Sequence, residues 1–442
     1  MISLKKISGF DRFDEHAFEV AKGAATAFLF KSLGAVLAFM FNIVLARELG
    51  TEGVGVYYIA LTVASVGAVL GSMGLGNSLV RFTASRAASG DWSGLKGVYR
   101  KGLYAVLAVS TVITLIVFLL APFIADAVFS KRELAAPIRL VSLGILPFAL
   151  LSIITQMLVG LKRIRDSQLV SGVIYWGCQM TGLFVLARLW GVYGAVASFV
   201  LGSAAAAAAG FFLWRSAAPQ IRGVQGKFST RELFDSSMPL LLSEIMILVV
   251  NWSAIFFLGI WGTKAELGIF GVASKAAAIV SFILISVNTI AAPKFAALYS
   301  KGEIGALGST ARVSAFFSTL LSIPALFFFI ASPSWVMSLF GPSFVEGAAV
   351  LAILASGQFI NVITGPVGFL LIMSGNERLY RSTHVAAAAV NIALNIALIP
   401  GMGMTGAAIA TSASIVLQNL LASYFVYGSM NIKVLPWPRL RN

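Results

Sequence analysis

What most restricts this chain is a succession of apolar runs, each about 20 residues or longer, separated by clusters of Gly, Pro and charge. Twelve stretches qualify, at roughly 21–46, 56–80, 98–121, 135–159, 168–188, 191–213, 236–261, 267–293, 312–331, 346–373, 382–400 and 404–428. About 20 apolar residues in a helix cross roughly 30 Å of hydrocarbon, the core of a bilayer. A membrane strand needs only about ten, in strict alternation, so a β-barrel is excluded. A soluble fold could not hide a chain that is 59% hydrophobic with a mean hydropathy of +0.92. Its charged fraction is 11%, under half of the roughly 25% usual in soluble domains. The chain reads as an all-α membrane protein with twelve transmembrane helices.

Orientation comes from the cations. The formal charge is +15, from 32 Lys+Arg against 17 Asp+Glu. In a polytopic chain such a balance is first a topology signal and only then a hint of nucleic acid. Arg47, Lys131, Arg132, Arg139, Arg188 and Lys264 lie in alternate connections, and Lys31 and Lys275 fall within spans. Every other cation lies in the remaining connections or the terminal segments, from Lys5, Lys6, Arg12 and Lys22 to Lys433, Arg439 and Arg441. The positive-inside rule puts that richer set, with both termini, in the cytoplasm. The basic excess then faces anionic lipid headgroups, and no nucleic-acid partner is expected. The expected location is multi-pass in a bacterial cytoplasmic (inner) membrane.

Other chemistry is closed off by composition. Cys178 is the only cysteine and His16 and His384 the only histidines, so a disulfide, a thiolate cluster or a His-based zinc site is not expected. Residues 1–20 are mixed polar and charged with no apolar h-region, so no cleavable signal peptide is expected. Connections between spans are short and carry no Walker A sequence, which argues against ATP hydrolysis.

The longest break, Arg215 to Arg231, is polar and basic and divides the spans six and six. The domains expected are an N-terminal bundle, 1–214, a cytoplasmic linker, 215–231, and a C-terminal bundle, 232–442. At a shift of 212, Gly50-Thr51 matches Gly262-Thr263, and Gly191, Gly194 and Ala195 match Gly403, Gly406 and Ala407. With one inserted residue, Gly55-Val56-Tyr57 matches Gly268-Ile269-Phe270, and Arg81-Phe82 matches Lys294-Phe295. Six spans per half give the two repeats the same orientation in the bilayer. Parallel repeats of this kind occur in secondary transporters, with the substrate between the halves.

Leu45 through Tyr57 (LARELGTEGVGVY) resembles the end of the first span in polysaccharide-type lipid flippases. Gly74 through Phe82 (GLGNSLVRF) is similar to their second-span end, and Ala292 through Tyr299 and Asn391 through Ala408 to later blocks. The resemblance covers nearly the whole chain. It points to the O-antigen (Wzx-type) branch of the multidrug/oligosaccharidyl-lipid/polysaccharide exporter superfamily. It implies two six-helix bundles in a V around a central cavity, working by alternating access. The substrate implied is an undecaprenyl-pyrophosphate-linked oligosaccharide, moved to the outer leaflet for polysaccharide biosynthesis such as that of lipopolysaccharide. Partners are membrane lipids and other polysaccharide-assembly membrane proteins. The matching motifs sit at turns and helix ends, so they mark family better than substrate.

Ionisable groups inside spans cost about 2.5–3.5 kcal/mol on insertion scales and face a cavity or a partner. Lys31, Lys275 and Glu244 are such groups, and at the repeat shift Lys31 maps onto Ser243, beside Glu244. A cation in a wet cavity offsets the desolvation of a lipid pyrophosphate. Lys31 leads for that role, then Lys275, with Arg139 near the outer surface as a third. The competing reading is snorkelling of the lysines, or a structural Lys275–Glu244 pair. Glu244 is the candidate for proton or sodium coupling, with helix-helix hydrogen bonding as its bland alternative. No cofactor is expected. Asn251, Gln358 and Asn361 could contact sugars, as could Asn391 and Asn395, although membrane amides also join helices. Tyr175, Trp176, Trp252 and Trp261 could stack on sugars or anchor at the interface. Pro147 and Pro366 are expected to interrupt spans four and ten.

Rival readings differ in what they require. A multidrug exporter of the superfamily wants a more acidic or aromatic cavity, and a lipid II flippase additional spans and clustered arginines. A membrane polymerase or ligase wants a large outer loop and a nucleophile-base arrangement, neither of which is apparent. The sequence favours a transporter over an enzyme.

Overall fold

The computed structural model describes residues 10–434, with side chains from residue 26 onward except those of 27, 239, 289, 290 and 293. Lys5, Lys6, Arg12, His16, Lys22, Arg439 and Arg441 of the sequence argument lie outside the described residues or side chains. Among the described residues every regular element is helical. The N-terminal half holds α1 (Phe10–Ser72), α2 (Leu75–Ala88), α3 (Trp92–Phe123), α4 (Ala135–Ser142), α5 (Ile145–Gly160), α6 (Ile164–Gln168), α7 (Tyr175–Gly182), α8 (Arg188–Trp190) and α9 (Val192–Ala217). The C-terminal half holds α10 (Thr230–Trp261), α11 (Lys264–Ser300), α12 (Ile304–Ala331), α13 (Pro333–Ser338), α14 (Ala348–Thr364), α15 (Val367–Met373) and α16 (Glu377–Met430).

Among the described residues, nine helical stretches are long and apolar enough to cross a membrane, and the bent pair Arg132–Ser142 and Ile145–Gly160 makes a tenth. Two stretches are too long for one crossing. Phe28–Ser72 has 45 residues and Glu377–Met430 has 54, or about 68 and 81 Å at 1.5 Å per residue. Each leaves helical geometry once, at Gly50 (φ 66°, ψ −178°) and at Gly403 (φ 52°, ψ −133°). Gly191, 212 residues before Gly403, has nearly the same torsions (φ 54°, ψ −127°). That region of φ is open to glycine and costly for other residues. The likeness continues at the next glycines. A Cβ on Gly194 would strike the Leu186 carbonyl, and one on Gly406 the Leu398 carbonyl.

Pro147 and Pro366 fall where spans were expected to bend. The 43° bend lies at Leu143–Gly144, and Pro147 occupies the first turn of α5, where a missing N–H costs little. Gly365 (φ 72°) and Pro366 separate α14 from α15. The stretch Ile164–Trp190 is fragmented because π-helical turns at Leu169–Ile174 and Leu183–Ala187 interrupt its α-helical bonding. Helix starts follow local chemistry. Asp91 accepts the Gly94 N–H at 2.8 Å to open α3, and Thr263 with Glu266 forms a capping box on α11.

The connections poor in cations meet one another at one end of the molecule. There Arg188 pairs with Glu48, Lys264 with Glu52 and Glu133, and Arg47 donates to the Leu339 carbonyl. The linker meets the other set, with Ser93 on the Gln225 carbonyl and Lys101 on Thr230. The two sets of connections therefore occupy opposite ends, called here the far end and the linker end. The largest apolar core lies toward the far end and joins both halves, through Phe41, Leu45, Tyr58 and Ile59 with Ile255, Leu258, Leu267 and Phe270. Toward the linker end the cores separate. Leu75, Leu79, Leu95, Met157 and Trp214 serve the N-terminal half, with Leu233 reaching in, while Phe295, Leu307, Leu370 and Val426 serve the C-terminal half.

Candidate functional site

Two seams run between the halves. In the first, α1 lies along α11; in the second, α10 lies along α2 and the end of α1. Close approach in the first seam is permitted by small residues. A Cβ on Gly55 would strike the Lys264 carbonyl, and one on Gly268 would strike the Thr51 carbonyl. These are the two glycines matched in the repeat.

Lys31 stands in the first seam and donates from Nζ to the Ile285 carbonyl of α11 at 3.4 Å. Glu244 stands in the second. A Cβ on Gly76 of α2 would come within 3.5 Å of its Oε1. Counting back from Gly50 and Gly262, Lys31 is nineteen residues down and Glu244 eighteen, about 29 and 27 Å. A cation and a carboxyl thus share one depth, each reaching toward the opposite half.

Lys275 lies higher, about 20 Å from Gly262, with its Nζ 5.0 Å above the Trp252 ring. The ion pairs among the described residues do not join it to Glu244. On a helix of 3.6 residues per turn, positions seven apart lie within about 20° of one another. Glu244 and Asn251 therefore lie on one stripe of α10. Lys275 and Asn251 are both exposed.

Arg139 is not brought to the seams. It is exposed on α4, with its guanidinium 5.9 Å above Phe118 of the same half. Gln358 and Asn361 are half-buried on α14, and among the described residues no hydrogen bond holds either side-chain amide. Asn391 and Asn395 are buried and committed. Asn395 donates to Ser253 Oγ at 3.1 Å and to Asn391 Oδ1 at 2.9 Å, and Ser253 donates to Asn391, tying α10 to α16. Tyr175 is buried, stacked on Phe148 and edge-on to Trp176, while Trp261 stacks on Phe257.

At the linker end the second seam is closed by a small polar clasp. Arg81 Nη2 donates to Ser236 Oγ at 2.7 Å, and Ser78 shares a hydrogen bond with the same hydroxyl at 2.9 Å. Beside it opens a cleft of about 550 Å³ lined by Arg81, Phe82, Ser229, Arg231, Glu232, Asp235 and Ser236. Glu244 lies two turns further along α10.

Sequence reasoning missed the far-end contacts. Lys131 reaches across the halves to the carbonyls of Gly259, at 2.6 Å, and Gly262, at 3.2 Å. Burial and the nearby Lys264 push its pKa down, against the pull of Glu133. In the sequence these groups read only as loop charges. The signal available was the balance of cations and acids in that set.

Comparison with solved structures finds the same helical fold. A multidrug resistance MATE family transporter of the MOP superfamily, inward-facing, superposes with TM-score 0.73 at 16% identity, covering 93% of this chain and 98% of that one. The lipid II flippase MurJ, inward closed, gives TM-score 0.70 at 14% identity, covering 92% and 87%. Residues 20–299 match the family described as polysaccharide biosynthesis protein, and the chain belongs to that family. Over 206 residues it is 27% identical to the probable low-salt glycan biosynthesis flippase Agl15 of Haloferax volcanii, covering 46% of this chain and 44% of the relative. That match spans less than half of the relative's length. An uncharacterized membrane protein of Methanocaldococcus jannaschii is 23% identical over 414 residues, covering 89% and 81%. The name of that Haloferax volcanii relative specifies glycan biosynthesis.

Proposed function

We propose that this protein is a secondary-active flippase, carrying a polyprenyl-pyrophosphate-linked oligosaccharide from the cytoplasmic to the outer leaflet for cell-surface glycan assembly. In this reading the linker end is cytoplasmic, as the distribution of Lys and Arg requires. Phe28–Ser72 and Glu377–Met430 each cross twice, at Gly50 and Gly403, and with the bent pair they make twelve spans in two related bundles, 1–214 and 232–442. The matched turns at Gly191 and Gly403 support that division. A core joined at the far end and parted at the linker end fits a substrate path entered from the cytoplasm.

The observation that carries the reading is the placement of Lys31 and Glu244 at one depth in the two seams. A phosphate entering between the halves loses water, and an ammonium in the same space returns part of that free energy. Phosphate oxygens compete with the Ile285 carbonyl for Lys31, so binding loosens the first seam. Glu244 supplies the coupling group for a proton or sodium ion. Lys275 acts as the second cation, and Asn251, on the Glu244 stripe, is placed for a sugar hydroxyl. Gln358 and Asn361 are further sugar contacts in this reading, while Arg139 acts, if at all, on a phosphate leaving at the outer surface. The chemistry is movement without bond cleavage, so no enzyme activity is invoked.

Deleting the gene should leave lipid-linked oligosaccharide on the cytoplasmic side. Lys31→Ala and Glu244→Gln should each lower surface glycan about 10- to 100-fold, the worth of a charge-assisted contact, with membrane insertion intact. Lipid-linked glycan that reaches the outer leaflet unpolymerised in the deletion strain would instead favour a polymerase.

A further inference from the structure

The far end carries a reciprocal set of contacts whose chemistry differs from that of the apolar core beneath it. Lys131, from the N-terminal half, donates to the Gly259 and Gly262 carbonyls at the end of α10. Those are terminal helix carbonyls, which carry partial negative charge and lack intrahelical partners. Lys264, from the C-terminal half, answers by lying 2.9 Å from Glu133 and 3.2 Å from Glu52 of the N-terminal half. The Lys264 backbone is itself pressed against Gly55.

The repeat explains why this spot needs unlike residues. At the shift of 212 that aligns Gly50-Thr51 with Gly262-Thr263, Glu52 aligns with Lys264. The ion pair thus joins equivalent positions of the two halves, as a contact on a pseudo-two-fold axis must. Identical charges there would repel, whereas Glu opposite Lys binds. With the register advanced by the inserted residue, Tyr58 aligns with Gly271, and a Cβ on Gly271 would strike the Tyr58 ring. A large residue facing a small one is the steric counterpart of Glu facing Lys.

We propose that Lys131 and Lys264 form a latch that holds the outer end of the two halves shut, and that both lysines release when the protein opens outward. The latch rests on the reading of two halves that move against each other. It does not depend on which lipid is carried. At the linker end the second seam is held by the neutral Ser236 hydroxyl between Arg81 and Ser78. Among the described residues the ion pairs that cross between the halves lie at the far end.

The test uses the full chain in nanodiscs, with Cys178→Ser and spin labels at Leu189→Cys and Trp335→Cys, exposed far-end positions of opposite halves. The probe is the distance distribution without substrate. Lys131→Met and Lys264→Gln should each raise the long-distance population about tenfold. Lys264→Arg should not, and adding Glu52→Lys to Lys264→Glu should reverse part of that variant's opening. Raising NaCl from about 0.05 to about 0.5 M should open the unaltered protein, because the exposed pairs are screened. Should a variant fail to assemble, this salt arm decides alone. A distribution unmoved by salt and by both neutralising variants overturns the latch. Because substrate is absent, failure of the latch and failure of the flippase reading register separately.

Discussion

Single residues divide here into those that hold helices together and those placed between the halves. Asn391 and Asn395 belong to the first group, since with Ser253 they form a closed set of hydrogen bonds inside the C-terminal half. Asn391→Leu should destabilise the protein by about 1–2 kcal/mol in denaturant titrations. Adding Ser253→Ala should cost less than the sum of the single changes, because the stranded hydroxyl disappears. Equal and additive losses would show that the three side chains do not act as a unit. Lys31 and Glu244 belong to the second group. Their types and depths were legible in the sequence because a charge in an apolar run stands out. Their partners were not, since Ile285 and Gly76 are apolar or bare and lie 254 and 168 residues away along the chain. Lys131 and Lys264 were present in the count of loop charges, but a topology rule sums charges and does not pair them.

At the scale of the element, helix length and punctuation explain most of what was readable. Apolar runs, Gly50 and Gly403, and the prolines at 147 and 366 each announced a span or a break. The fragmentation of Ile164–Trp190 by π-turns did not show, because those turns change hydrogen bonding without changing composition. The start of α3 offers a local test. Asp91 is held below the usual carboxylate range by the Gly94 N–H, then by Arg86. A depressed carboxyl gives stability that is full above its unfolded pKa and is lost as pH falls through its folded pKa. Asp91→Ala should cost about 1 kcal/mol, read as faster amide exchange at Ser93, Gly94 and Leu95. Asp91→Asn should keep most of the cap but remove its loss in acid. If exchange at those amides is the same in all three proteins, the cap does not set this helix start. A second test lies in the first seam. Gly55→Val puts side-chain atoms where the Lys264 carbonyl stands, so it should spread the far end in the same spin-label measurement. Gly177→Ala, with nothing within 4 Å of its added Cβ, should leave that distance unchanged.

For the whole molecule, the two halves meet through a shared core at one end and part into separate cores at the other. That asymmetry could not be read from the repeat, which predicts likeness between halves and not which end is shut. The family was legible because its motifs lie at turns, where glycines such as Gly50 and Gly403 take torsions that other residues resist. Substrate was less legible, since the seams are lined by few polar groups. In the function proposed above, these seams pass a lipid-linked glycan across the bilayer. That transport is tested most directly in proteoliposomes holding the purified protein and a polyprenyl-pyrophosphate oligosaccharide, with an impermeant glycosidase outside and an imposed proton or sodium gradient. The expected result is glycan loss beyond the initially exposed half, driven by the gradient and slowed about 10- to 100-fold by Lys31→Ala. Loss that stops at the exposed half, as in liposomes without protein, would contradict it.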